Sequence, residues 1–135
     1  MSFADFYANS ATEQTVLPGD DVSLPLNGSI ANTNIGRISD NSFLLAPIGS
    51  YQIIFRVNSE TESELVLTLN GVELDYTRVG NGTPGSVIFG STIVTTTAEN
   101  STLTLSTPAD ATSSVVIPGG VDNSNTSHLT IVQLS

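Results

Sequence analysis

The feature that most constrains this chain is its punctuation. Apolar stretches of four to ten residues follow one another, and each is closed by a turn signal. None holds the 3.6-residue period of an amphipathic helix over enough length to matter. The clearest stretch runs from Tyr51 to Asn58. Tyr51, Ile53, Phe55 and Val57 fall on one face, and Gln52, Ile54, Arg56 and Asn58 on the other, because strand side chains alternate. Leu65, Leu67 and Leu69 alternate in the same way and run directly into Asn70-Gly71. That dipeptide is the strongest hairpin signal in the chain, since both residues tolerate positive φ. Further strands are expected at 3–7, 14–17, 36–39, 43–45, 72–74, 87–97, 101–106, 114–117 and 128–134. Val22, Leu24 and Leu26 form a run that Asn27-Gly28 is expected to end. Polar loops are expected at 59–63, 80–85 and 118–126.

Composition agrees with this pattern. Ser and Thr supply 35 of the 135 residues and Ile and Val 22, which is a strand-forming mix with polar turns. The reading is an all-β, two-sheet jelly-roll sandwich of about ten antiparallel strands. No internal linker divides it, so 1–135 is read as one domain. Met1-Ser2 reads as a start added to a domain cut from a longer protein, and Met1 to Asn9 shows no signal-peptide pattern.

Charge and residue type exclude several functions. There are 3 basic and 13 acidic residues, a net charge of −10, and no lysine. Nucleic-acid binding needs basic charge to release counterions, and anionic membranes attract the same charge. Neither partner is expected. With no cysteine, thiolate chemistry and disulfides are ruled out. His128 is the only histidine, so no multi-histidine metal site or histidine dyad can form. A structural or interface role is expected for it, with a pH-sensitive contact as the alternative.

Asp20-Asp21 and Glu60 with Glu62 are the only loosely held candidates for calcium, which prefers gathered oxygen ligands. Their spacing fits no calcium loop, and solvated loops explain them. No cofactor, no catalytic residue and no required metal is expected. Four Asn-x-Ser/Thr triplets begin at Asn27, Asn81, Asn100 and Asn125. They matter only on a glycosylating secretory route.

Four segments carry a resemblance. They run from Leu65 to Gly80, from Ile93 to Leu105, from His128 to Leu134 and from Pro47 to Tyr51. Through them the chain resembles the C-terminal domain of the collagen-like surface glycoproteins of Bacillus and Clostridium spores, over about Phe3 to Leu134. These domains are similar to the C1q and tumour necrosis factor jelly rolls. The resemblance implies a tight homotrimer at the tip of a collagen-like stalk N-terminal to this domain. It implies a structural role in nucleating the trimer and displaying it on the exosporium, an extracellular spore surface. The alternative is a C1q-like module that binds carbohydrate or a host protein.

The resemblance also implies where the copies meet. Tyr51, Ile53, Phe55 and Val57 are assigned to the inner core, leaving Ile54 and Arg56 on an outer face that packs against a neighbour. The same sheet is expected to hold strands 3–7, 101–106 and 128–134. Phe3, Tyr7, Ile54, Arg56 and His128 are therefore the expected interface residues. Apolar residues on both faces of 51–58 and 65–69 point the same way.

Overall fold

Strands whose two faces differ in polarity must stack in layers, and the observed architecture is two such layers. The computed structural model describes all 135 residues. In chain order the strands are β1 (Phe3–Ala8), β2 (Gln14–Val16), β3 (Leu26–Ala31), β4 (Ile35–Ser39), β5 (Ser42–Leu45), β6 (Ser50–Ser59) and β7 (Glu64–Leu69). They continue with β8 (Val72–Glu73), β9 (Val79–Gly80), β10 (Ser86–Thr95), β11 (Ser101–Ser106), β12 (Val115–Ile117) and β13 (Ser127–Gln133). Two single-turn 3-10 segments, Asp75–Thr77 and Val121–Asn123, are the only helical residues. Four of the thirteen, β2, β8, β9 and β12, are only two or three residues long, and β3 and β9 lie outside the expected strands.

The first sheet has the order β10-β6-β13-β1-β3, and the second β4-β5-β11-β7-β8 with β9 also on β7. A ribbon of β2 and β12 stands beside them. Every pairing is antiparallel. Between the sheets lies one apolar core of 23 residues. The first sheet sends in Phe6, Tyr51, Ile53, Phe55, Val57, Leu129 and Ile131, and the second sends in Phe43, Leu45, Leu65, Leu67, Leu103 and Leu105. All four inner residues expected on β6 are thus in the core. On β13 the structure selects Leu129 and Ile131 as the inner pair. Phe6 and Phe43 meet across the sheets at 4.3 Å between ring centroids. The Arg37 guanidinium lies over both rings, at 5.1 and 5.4 Å, a cation–π arrangement that seals this edge.

Three expectations are corrected. Strand 101–106 is β11 and lies in the second sheet, between β5 and β7, not beside β1 and β13. Its leucines look the same from either layer in the sequence, so alternation alone does not assign the sheet. Asn27-Gly28 is not a turn but the interior of β3. Glycine is useful there because a Cβ on Gly28 would crowd the Asp5 carboxyl group. Val66, on the far face of β7, is already buried within the chain, so that face needs no second copy to cover it.

Asn70 and Gly71 do form the β7–β8 hairpin, with φ of 51° and 82°, as a primed turn demands. In β10, Gly90 pairs with Phe55, and a Cβ at that position would run into the Phe55 ring. Strand propensity alone favours alanine over glycine here, whereas packing forbids it. Gly90→Ala is expected to destabilise the fold by about 1–3 kcal/mol, read from the urea midpoint. Part of that loss should return when Phe55→Leu is added. A neutral or stabilising Gly90→Ala would contradict the packing account.

Candidate functional site

Because β10, β6, β13 and β1 are adjacent and in register, their outward residues line up in rows. One row is Phe3, Val132, Gln52 and Ile93. The next is Asp5, Thr130, Ile54 and Ser91. The third is Tyr7, His128, Arg56 and Phe89. All five residues expected at the interface therefore lie on this one face. Ile54, Arg56, Tyr7 and His128 are half-buried, and Phe3 is exposed.

The face is more apolar than those five suggest. Val87, Phe89 and Ile93 on β10 are 42%, 58% and 54% exposed. None of the three is among the five expected interface residues. Their signal was present in the alternation of Val87, Phe89, Ser91 and Ile93 against Ile88, Gly90, Thr92 and Val94, since a glycine opposite an aromatic marks the packed series. Beside this edge Tyr76, itself exposed, donates from its hydroxyl to the Ile93 carbonyl at 2.9 Å.

The polar groups on this face are organised around Asp5. Its Oδ1 accepts from Thr130 Oγ1 at 2.8 Å and lies 2.7 Å from His128 Nε2. The Tyr7 ring sits 5.9 Å from the His128 ring. Arg56 is different. Arg37 is held by the Asn27 side chain and the Leu26 and Ser39 carbonyls, and Arg78 by Glu64 and Asp110. Arg56 makes no ion pair and no side-chain hydrogen bond. It is the one unpaired arginine, placed between His128 and the Phe89 ring position of the next strand.

The calcium candidates do not come together. Asp20 is exposed, while Asp21 accepts from Ser106 Oγ at 2.5 Å. Glu60 and Glu62 are exposed in the loop after β6. A hydrogen bond with Glu13 pushes the Glu60 carboxyl above the usual carboxylate range. No group of three or more His, Asp or Glu side chains assembles anywhere in the chain. Of the Asn-x-Ser/Thr triplets, Asn81 has its amide committed to Ser63, Thr61 and Ser86, and Asn27 accepts from Arg37.

The Arg78–Glu64–Asp110 group ties β7 to two loops. Arg78 Nε donates to Glu64 at 2.7 Å and Nη1 to Asp110 at 2.8 Å. The bond from Arg78 holds the Glu64 carboxyl below its ordinary range, against an opposing effect of desolvation. A lowered carboxylate contributes stability above its unfolded-state pKa and loses it as pH falls through the lowered value. Glu64 is partly exposed, so its share is no more than about 1 kcal/mol. Glu64→Gln should lower the melting temperature at neutral pH, and the gap should close as pH falls through the lowered Glu64 value. A constant gap across the titration would remove the charge argument.

The fold has known counterparts. The globular domain of zebrafish complement 1qA superposes with a TM-score of 0.72 at 15% identity, covering 100% of this chain and 98% of that one. Murine APRIL gives 0.69 at 11% identity, with 98% of both chains covered. The CBM36-1 domain of a multidomain xylanase from the hindgut metagenome of Trinervitermes trinervoides gives 0.53 at 16% identity, again with 98% of both covered. The chain therefore has the C1q/TNF-like jelly-roll fold. No protein-family model matches it, and no curated protein matches it in sequence. No helix is long and apolar enough to cross a membrane.

Proposed function

We propose that this chain is a non-catalytic assembly and display module that forms a homotrimer through the outer face of the first sheet. The observation that carries the reading is the three-row face itself. Phe3, Ile54, Phe89, Ile93 and Val132 lie on one continuous side of four paired strands. An apolar face of this kind on a small protein marks an interaction surface.

The unpaired Arg56, not the net charge, supports a second copy as the occupant. The chain carries −10 overall, yet its one unpaired arginine lies on this face. An acidic neighbour of the same sequence offers it carboxylates, and desolvated Arg–carboxylate contacts are favoured at interfaces. The finer reading is that the trimer caps a collagen-like stalk as a spore-surface glycoprotein on the exosporium. Its support is the sequence resemblance, and immunogold labelling of intact spores tests it.

A second reading is a C1q-like module that binds carbohydrate or a host protein. The shared fold with the complement 1qA globular domain and the xylanase domain supports it. So does the geometry, because assembly through the first sheet leaves the second sheet free for a ligand.

Light scattering at micromolar concentration is expected to give about 42 kDa, three times the 14.1 kDa chain. A mass of one chain overturns the assembly reading. Ile54→Asp puts a charge into the apolar face, at a cost of several kcal/mol by order of magnitude. It is expected to yield folded single chains, whereas Phe55→Asp, in the core, should abolish the fold. A fully trimeric Ile54→Asp protein would defeat the assignment. Like charge on the copies also repels, so raising salt from about 20 to about 300 mM should raise the melting temperature through screening.

A further inference from the structure

The outer face of the second sheet is unlike that of the first. It holds a trough of about 520 Å³ between the 18–21 segment, the β7–β8 hairpin and the turn between β4 and β5. Ala109 is its only hydrophobic lining residue. One wall is pinned because the Gly19 N–H donates to the Thr107 carbonyl, and the Thr107 N–H to Asp20. The other is pinned because the Ala109 N–H donates to Glu73 at 2.9 Å.

The floor is a chain of hydroxyls. Thr68 Oγ1 bonds Thr104 Oγ1, Thr104 bonds Ser106 at 3.0 Å, and Ser106 donates to the Asp21 carboxylate. A hydroxyl has one proton and two lone pairs. A carboxylate only accepts, so the Ser106 proton is committed to Asp21. Thr104 must then donate to Ser106, and Thr68 to Thr104. All three protons run toward Asp21, and the lone pairs left over are acceptors. With Asp21 and Glu73 at the rim, the trough offers acceptors and negative charge, so its ligand must bring donors and carry no anionic group.

We infer that this trough is a binding site for a neutral carbohydrate, which presents a row of hydroxyl donors to the Thr68–Thr104–Ser106 floor. The volume suits one or two sugar rings, within the range of small-ligand sites. The site has no aromatic platform, so its affinity in a single copy is weak, on the order of 1 mM, and three copies would add avidity. The inference rests on the binding-module reading, and names its ligand class and its place.

Isothermal titration and amide chemical-shift mapping with xylotriose, N-acetylglucosamine and glucuronic acid test it. The two neutral sugars are expected to shift amides of β7 and β11, and glucuronic acid to shift none. Thr68→Val/Thr104→Val replaces both hydroxyls by methyls of like shape, removing the pair together; Ser106 loses the bond from Thr104 and keeps its own to Asp21. The double variant should weaken sugar binding by about tenfold or more while the mass by light scattering stays unchanged. Thr102→Ala, at the open edge of the trough, is the milder variant should the double change disturb the fold. Neutral sugars that bind both variants as well as the parent overturn the trough and leave the binding reading standing. Failure of both neutral sugars overturns the carbohydrate assignment, and so does a response to calcium chloride or spermidine alone. A host protein that binds in that case preserves the binding reading.

Discussion

The register of β6 between β10 and β13 is the constraint on which the rest depends. β6 pairs over its whole length with β10 and over seven residues with β13. Side chains alternate strictly along it, so a slip of one residue would carry Tyr51, Ile53, Phe55 and Val57 out of the core and put Gln52 and Arg56 into it. The same register fixes the three outer rows. Core packing and surface chemistry on this sheet are two readings of one pairing, and neither can be altered without the other.

That coupling explains which parts of the structure were legible from the amino acids. Alternation at 51–58 and 65–69 and the Asn70-Gly71 turn are local signals, and each corresponds to a real element. Sheet membership is not local. The resemblance puts 101–106 in the sheet of 128–134, and Leu103 and Leu105 show only that one face is buried, not against which layer. Asn27-Gly28 resembles a turn by composition, yet its neighbour decides the matter, because the Asp5 side chain on β1 occupies the space a Cβ would need. The five interface residues came from a resemblance plus the assignment of faces on one strand. Phe89 and Ile93 were passed over because β10 is apolar on both sides, and only Gly90 under the Phe55 ring tells the two apart.

Electrostatics divides the surface. A chain with −10 net charge has three arginines, and the structure uses two of them internally. Arg78 binds β7 to the loops through Glu64 and Asp110, and Arg37 closes the sandwich edge over Phe6 and Phe43. Exposed ion pairs of the first kind contribute little, while an arginine stacked on two rings also covers apolar surface with its stem. Arg56 is left over, half-buried among Tyr7, His128 and Phe89. A partner that covered this face would leave Arg56 unpaired unless it brought a carboxylate, because an unpaired buried charge is costly.

The two outer faces then take complementary roles. The first sheet shows aromatic and aliphatic side chains with one cation, chemistry that favours a dry contact with protein. The second shows hydroxyls whose protons are already directed inward to Asp21, chemistry that favours a hydrated, donor-rich ligand. If the assignment were reversed, Phe89 and Ile93 would stay in water while the Thr68–Thr104 floor was pressed against an apolar partner, stranding its lone pairs. That arrangement would carry both costs at once, buried acceptors without donors and exposed apolar surface. Under the proposed assignment, the first sheet meets its own kind and the second is left for the sugar, with the apolar core between them.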